Sequence, residues 1–251
     1  MFFRAGVPII AGWLLAALVP AAAQDGPERK AGGDFECLLE PRVVVNVGSA
    51  VDGVIQEITV ERGDRVKVGQ VVARLESGVE AASVEVRKAR AEFGARKAER
   101  NVELFNRKLI SAQEKDELDT EQKMTELELK KDIAALKLRT VLSPVNGVVV
   151  ERYLSPGELV RQDKVKILKL AQIDPLNVEV VVPAQVYGSI KVGMGGDVSL
   201  PAPLRGVYKA KVTVVDPVID AASGTFGVRL ELPNPGGKIP SGIKCRVRFS
   251  R

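Results

Sequence analysis

Short stretches of alternating hydrophobic and polar residues occur twice, at residues 49–66 and 143–160, and the two copies match without a gap. The offset is 94 positions, the distance from Ser49 to Ser143. Each copy is rich in valine and isoleucine between turn residues, which predicts short strands. The positions that match are Ser49 with Ser143, Gly53 with Gly147, Val60 with Leu154, Gly63 with Gly157, and Val66 with Val160. Each half-sheet is too small to cover its own apolar face, so we expect the two to pack together.

The segment between the copies, residues 78–139, contains no proline and is rich in Glu, Lys, Arg, Ala and Leu. Spacings of three and four predict a heptad seam of an antiparallel coiled-coil hairpin. The seam residues of the first arm are Ala81, Val84, Lys88, Ala91, Ala95, Ala98, Val102, Phe105 and Leu109. Residues 110–113 break the pattern, and Ser111 with Glu114 forms a capping-box signature for the second arm. Leu118, Leu129, Ile133 and Leu136 continue that arm.

After residue 174 the chain again alternates, in several short stretches separated by glycine and proline. This pattern predicts a small antiparallel β-barrel. The strand around Cys37 is expected to join the barrel beside Cys245. The fold class is therefore mixed α and β and elongated: a split β-sandwich made of the two half-sheets, an inserted antiparallel α-helical coiled-coil hairpin, and a barrel.

The amino-acid composition argues against several classes of function. The 251 residues carry 37 Lys and Arg against 32 Asp and Glu, and there is no histidine. The commonest general base and metal ligand is thus missing, which argues against an enzyme or a metal site. Aromatic residues make up 4% of the chain, too few for stacking platforms, so no nucleic-acid partner is expected.

The N-terminus has the features of a secretory signal peptide. A basic start is followed by an uncharged apolar run, residues 5–18, and by an Ala-x-Ala cleavage site ending at Ala23. The alternative is an uncleaved membrane anchor, although the run is shorter than the roughly 20 residues that span a bilayer. We therefore expect an exported protein that begins, after cleavage, with a flexible segment at residues 24–35.

Export would place the two cysteines, Cys37 and Cys245, in an oxidising compartment, where disulfides form. They are a candidate disulfide joining the two ends of the mature chain. The alternative is a pair of unrelated buried thiols.

Residues 60–77 (VERGDRVKVGQVVARLES) resemble the first half of a lipoyl or biotinyl carrier domain. The carrier lysine is missing from the hairpin position that follows, where residues 78–80 (GVE) stand, so no covalent cofactor is expected. A split lipoyl fold with a helical insertion and a following barrel is similar to the periplasmic adaptors, also called membrane fusion proteins. The resemblance covers residues from about 36 to 251, and the combination of features is specific.

The resemblance extends to the turn between the helices. Efflux adaptors of this kind carry Arg, Leu and Ser at spacings that this chain meets with Arg100, Leu104 and Ser111. The resemblance implies that these three residues dock onto an outer-membrane channel. The alternative for Leu104 is a surface leucine without a role, which is common on proteins.

The resemblance implies a non-enzymatic adaptor of an RND-type efflux system. It would join an inner-membrane transporter, contacted through the barrel or the segment 24–35, to an outer-membrane channel, as a homo-oligomer in a ring of six. The alternatives are an adaptor of an ABC-type exporter or type I secretion system, and a biotinyl or lipoyl carrier subunit. The implied domains are a signal peptide (1–23), N-terminal strands (36–47), the sandwich (48–77 and 140–173), the hairpin (78–139) and the barrel (174–251).

Overall fold

The computed structural model describes residues 33–162 and 166–250. The predicted signal peptide and most of the predicted flexible segment lie outside the described residues. Within the described ranges, neither helix holds an apolar stretch long and hydrophobic enough to cross a bilayer.

The chain forms twelve strands and two long helices over the described ranges. The first half holds β1 (Phe35–Val47), β2 (Gly53–Ile58), β3 (Arg65–Val66), β4 (Val71–Leu75), α1 (Gly78–Asn106) and α2 (Ala112–Lys137). The second half holds β5 (Thr140–Leu142), β6 (Gly147–Arg152), β7 (Leu159–Val160), β8 (Leu168–Pro183), β9 (Gly195–Leu200), β10 (Gly206–Val215), β11 (Thr225–Leu232) and β12 (Lys244–Ser250).

Six strands form a closed barrel in the order β1-β12-β9-β10-β11-β8, and pairing between β1 and β8 closes it. Alternate residues along each strand point inward, as the period of two requires. They form one core that includes Leu39, Val178, Leu230 and Val247, each at most 1% exposed. The predicted barrel is confirmed, including the contribution of the N-terminal strand.

The two repeat copies form the lipoyl-like sandwich by exchanging strands. Strand β2 of the first copy pairs with β7 of the second, and β3 pairs with β6. The hydrogen bonds repeat at the same offset as the sequence: Gly63 N donates to Val149 O over 2.8 Å, and Gly157 N donates to Ile55 O over 2.8 Å. The sandwich therefore has an internal two-fold pseudosymmetry, and neither half has its full set of strand partners without the other.

The matching serines hold equivalent turns. Ser49 Oγ donates to Val51 O over 2.6 Å, and Ser143 Oγ donates to Val145 O over 2.7 Å. Both serines are buried, so these hydrogen bonds satisfy hydroxyls that water does not reach. The repeat thus preserves polar turn chemistry as well as hydrophobic pattern.

Sandwich and barrel are joined by continuous strands and by one polar cluster. Both β1 and β8 run through the two units, so the predicted boundary at residues 173 and 174 falls inside β8. At that boundary Asn234, 2% exposed, donates through Nδ2 to Ile173 O and Ile239 O, and its backbone N–H donates to Asp174 Oδ1. From the sandwich, Arg65 Nη2 donates to Gly236 O over 2.5 Å. The buried and fully bonded Asn234 side chain favours one arrangement of the junction.

The two helices lie side by side and antiparallel. Ser83 Oγ donates to Asp132 Oδ2 over 2.6 Å near the sandwich, Arg87 pairs with Glu128, and Lys97 Nζ lies 2.8 Å from Glu121 Oε2 nearer the turn. As the residue numbers of these contacts rise along α1, the numbers of their partners fall along α2, so the two helices run in opposite directions.

The predicted seam of α1 is wrong at several positions. Ala81, Ala95, Val102 and Leu109 are exposed, whereas Arg87, Gly94 and Asn101 are turned inward beside Val84, Ala91 and Ala98. The predicted positions of α2 are half-buried, as expected for its inner face. The reason is that polar contacts, above all those of Arg87, occupy part of the interface. A search for apolar residues alone therefore places the seam about one residue too far along the chain.

The pseudosymmetry generates a prediction on two matched glycines. A Cβ at Gly147 would lie 2.5 Å from the backbone oxygen of Ala171, whereas at Gly53 it would meet the movable end of Arg139 at 2.7 Å. We expect Gly147→Ala to lower the free energy of unfolding by about 1–3 kcal/mol, because overpacked backbone cannot relax cheaply. Gly53→Ala, the control, should cost less. Urea denaturation measures both, and equal losses would contradict the argument.

Candidate docking site at the turn between the helices

The turn between α1 and α2, residues 107–111, is the part of the helical pair farthest along the chain from the sandwich. Ser111 begins α2 in extended conformation, and its Oγ accepts a hydrogen bond from Glu114 N over 3.1 Å. A serine at this position satisfies one of the free N–H groups of the first helical turn. The capping role predicted for Ser111 is thus present in the structure.

The end of α1 contains a feature that has no sequence signal. Lys108 has a φ of 58°, and Leu109 N donates to Leu104 O over 2.9 Å. This is the helix-ending geometry in which glycine is usual, because other residues pay a steric cost at positive φ. A lysine there is not recognisable from the sequence. It nevertheless decides how the chain leaves α1 after Asn106.

Two of the three residues singled out by sequence lie on the last two turns of α1. Leu104 is 37% exposed and Arg100 is exposed, four residues before it on the same helix. Ser111 stands across the turn, with its hydroxyl used by the cap. The structure thus brings the three to one end of the helical pair, and their docking role stays a prediction.

The charges around the turn are partly compensated. Lys97 pairs with Glu121, and Lys115 Nζ lies 2.5 Å from Asp119 Oδ2. The hydrogen bond to Asp119 raises the pKa of Lys115 above its usual value, so this amine is charged at neutral pH. Its Nζ also lies 5.9 Å from the centroid of the Phe105 ring, within cation–π range. These contacts tie the start of α2 to the end of α1 and hold the turn together.

The other end of the helical pair is anchored to the sandwich by one side chain that sequence reasoning missed. Arg139 Nη2 lies 2.5 Å from Glu80 Oε1 at the start of α1, and Arg139 Nη1 donates to Asp52 O over 2.8 Å. Arg139, which follows α2 in the chain, therefore contacts the start of α1 and the turn before β2. Its charge-assisted, forked geometry suits an arginine and could not be reproduced by lysine.

The two cysteines face each other in the barrel. Cys37 of β1 and Cys245 of β12 are directly paired across the strands, with sulfurs 2.13 Å apart. Both are buried. A bond here would link residues 208 positions apart and fix the strand that leads out of the barrel toward the N-terminus.

Among the described residues, no three Asp, Glu, Cys or His side chains are grouped to hold a metal ion. An open groove of about 920 Å³ lies outside the barrel, beside the paired cysteines. At the place where a carrier domain would hold its lysine, helix α1 begins at Gly78.

Two family models match the chain, and together they cover the sandwich, the helices and the barrel. The model described as CzcB-like, barrel-sandwich hybrid domain matches residues 43–172, about half of the chain. The model described as CusB-like, beta-barrel domain matches residues 176–251.

The individual proteins that match have a low sequence identity to this chain and are longer than it is. The chain is 26% identical over 218 residues to the solvent efflux pump periplasmic linker SrpA of Pseudomonas putida, covering 80% of this chain and 56% of that protein. It is 22% identical over 214 residues to an uncharacterized protein of Haemophilus influenzae, covering 85% and 56%. The chain thus spans about half the length of these curated relatives.

Solved structures share the fold. A MacA–MexA chimeric protein, containing the Pseudomonas aeruginosa MexA alpha-hairpin domain, superposes with a TM-score of 0.74 at 20% identity. The match covers 87% of this chain and 81% of the other. At that identity the likeness concerns the fold alone.

The turn geometry predicts that Lys108→Gly stabilises the helical pair. Glycine removes the steric cost of the positive φ, so we expect a gain of about 0.5–1 kcal/mol. Arg107→Gly is the matched control, because Arg107 has an ordinary φ of −82° and glycine should bring no gain there. Thermal unfolding followed by far-ultraviolet circular dichroism measures both. A loss for Lys108→Gly would refute the assigned turn.

The paired cysteines predict a redox-dependent stability. If the bond forms on export, its reduction should lower the free energy of unfolding by up to about 5 kcal/mol, since a very long loop is released. Urea denaturation with and without reductant measures the difference. The double variant Cys37→Ala with Cys245→Ala should not respond to reductant. A wild-type chain with two free thiols after periplasmic expression would contradict the assignment.

Proposed function

The chain belongs to the CzcB-like barrel-sandwich hybrid family of periplasmic adaptors, and from that membership we propose that it is a non-catalytic adaptor of an RND-type efflux pump. It joins an inner-membrane transporter to an outer-membrane channel in the periplasm. The match of the second half of the chain to the RND-associated, CusB-like barrel model favours this transporter class over an ABC-type exporter. A carrier function lacks its lysine, as helix α1 starts at that position.

The helical pair is the part proposed to reach the channel. With 29 residues in α1, the arm is about 45 Å long at 1.5 Å per residue. We take the two helices to be an antiparallel coiled coil, in line with the cross-helix contacts of Ser83, Arg87 and Lys97. The charged anchor at Arg139 fixes the base of this arm on the sandwich.

The observation that carries the proposal is the combination of exposed Leu104 and Arg100 at the far end of an anchored arm. An apolar side chain with an arginine beside it is a common composition of docking sites, since burial of the leucine and pairing of the guanidinium both favour contact. Helix α1 ends two residues after Leu104, at Asn106, and the turn at Lys108 follows. The predicted ring of six copies would multiply this contact around the channel.

We expect Leu104→Asp and Arg100→Asp to abolish capture of an outer-membrane channel by the adaptor. At the proposed contact a carboxylate in place of the leucine would be an unpaired buried charge, and reversal of Arg100 would remove the ion pair proposed with the channel. The measurement is chemical cross-linking in cells, affinity purification of the tagged chain, and identification of the captured protein by mass spectrometry.

Val102→Asp is the matched control, because Val102 lies two residues from Leu104 on the same helix and is 45% exposed. Circular dichroism establishes that all three variants remain folded. Equal capture by wild type and the Leu104 variant would remove Leu104 from the proposed contact. Capture of no outer-membrane protein by the wild type would overturn the proposed function itself.

A further inference from the structure

The turn before β6 contains an asparagine directly followed by a glycine. The chain has six asparagines, and Asn146 is the only one that a glycine follows. Three of the others precede valine, whose branched side chain crowds its own backbone N–H. Asn146 is exposed and Gly147 is half-buried. The carboxamide of Asn146 is therefore followed by a backbone nitrogen that no side chain shields.

The fold requires the glycine of this pair. A Cβ at Gly147 would lie 2.5 Å from Ala171 O, so another residue fits there only if backbone moves. Gly147 is also the first residue of β6, and it pairs with Val66, the last residue of β3. The end of a short ladder opens by local fluctuation more readily than the middle of a sheet. The Gly147 nitrogen thus becomes free at intervals while the chain stays folded.

A fixed hydrogen-bond donor points at the side-chain amide. Val68 N donates to Asn146 Oδ1 over 2.9 Å. When a nucleophile adds to an amide carbon, negative charge develops on the amide oxygen. A donor that is already in place stabilises this charge without reorganisation, as in an oxyanion hole. The turn therefore favours attack on Cγ of Asn146.

The surroundings of the amide are open and carry a net positive charge. Asn146 and Gly147 line a pocket of about 460 Å³ where the sandwich meets the barrel. The charged residues of the same lining are two cations, Arg65 and Lys67, and one carboxylate, Asp174. An excess of positive charge stabilises a reaction centre that becomes negative. The pocket thus gives water access to the amide and favours the charged intermediate.

We propose that Asn146 is a site of spontaneous deamidation in the folded protein. The Gly147 nitrogen gives its proton to a base from the solvent and attacks Cγ of Asn146. A bond forms between that nitrogen and Cγ, the bond from Cγ to Nδ2 breaks, and Nδ2 takes a proton from the solvent and leaves as ammonia. Water then opens the succinimide ring, which leaves aspartate or isoaspartate. Overall, water is consumed and ammonia is released in equal amounts, and nothing is oxidised or reduced.

The first repeat shows that this turn accepts an aspartate. Asp52 holds the position that matches Asn146, at the offset of 94 residues that relates the two copies. Asp52 Oδ1 accepts a hydrogen bond from Gln162 N over 2.7 Å, and Gln162 matches Val68 at the same offset. A carboxylate oxygen therefore makes in one repeat the bond that the amide oxygen makes in the other. Deamidation gives the second turn the chemistry of the first and adds a negative charge beside Lys67.

Mass spectrometry of the purified chain tests the proposal. The folded protein is kept at mildly alkaline pH, digested with trypsin, and compared with a freshly purified sample that corrects for deamidation during digestion. We expect the mass change from amide to acid in the peptide of residues 140–152. Asn46, exposed and followed by valine, is the internal control, and Asn146 should react about tenfold faster because glycine lacks the crowding side chain.

A sample unfolded in urea provides the reference for the effect of the fold. Reaction at Asn146 in urea but not in the folded protein would overturn the proposal, because the fold would then protect the site. Equal rates at Asn46 and Asn146 in the folded protein would also overturn it.

Asp52→Asn installs the matched site in the first repeat. The variant has a second asparagine before a glycine, Gly53, with Gln162 N as the donor to its amide oxygen. We expect deamidation at residue 52 as well as at residue 146, at comparable rates. Reaction at residue 146 alone would contradict the role assigned to the turn.

Two further variants test whether the product fits. Asn146→Asp should unfold at the same urea concentration as the wild type, because the carboxylate keeps the bond from Val68 N. Asn146→Leu, of similar size but without an acceptor, should unfold at a lower concentration. Equal losses for both variants would contradict the accommodation of the product. None of these measurements involves a channel or a transporter, so the inference stands or fails independently of the proposed function.

Discussion

The exchange of strands between the two repeat copies is the constraint on which the rest of the molecule depends. Strand β2 has its partner β7 more than 100 residues away, and β3 has its partner β6 about 80 residues away. The whole helical pair is inserted between these partners. Since the sandwich forms only when the halves meet, the ends of the insertion, at Ser77 and Arg139, must come together. A long arm with a defined base follows from this pairing.

The base is then fixed by electrostatics rather than by apolar packing. Arg139 bonds Glu80 and the carbonyl of Asp52, and Leu75 N donates to Arg139 O over 2.8 Å. Ion pairs also join the two helices along the arm, since Arg87 and Lys97 of α1 pair with acidic residues of α2. Exposed ion pairs contribute little individually, so the arm gains direction and register from them more than stability.

How much of this could be predicted from the sequence depends on the kind of signal. The repeat was visible because its glycines and serines recur in register, and the barrel because its strands alternate. Ser111 was identifiable because capping has a short-range signature. The inner face of α1 was misplaced because Arg87 and Asn101 occupy it, and a polar residue in a seam resembles a surface residue. Lys108 left no sequence signal, since glycine is the usual residue in its conformation. Arg139 was missed because its partners Glu80 and Asp52 are distant in sequence.

The sandwich is pseudosymmetric, yet the barrel lies on one side of it only. In one half Arg65 and Val148 are paired across β3 and β6, and Arg65 reaches the barrel loop at Gly236. The equivalent pair in the other half is Leu159 with Val54, both exposed. The two faces have the same strand pairing within the sandwich, so this pairing does not select between them. The side is selected by β1 and β8, which run from the sandwich directly into the barrel, and the donor at residue 65, which a leucine cannot replace, adds a hydrogen bond there. A pseudosymmetric sandwich thus acquires a distinct barrel side through the order of its strands and through the hydrogen bond of Arg65.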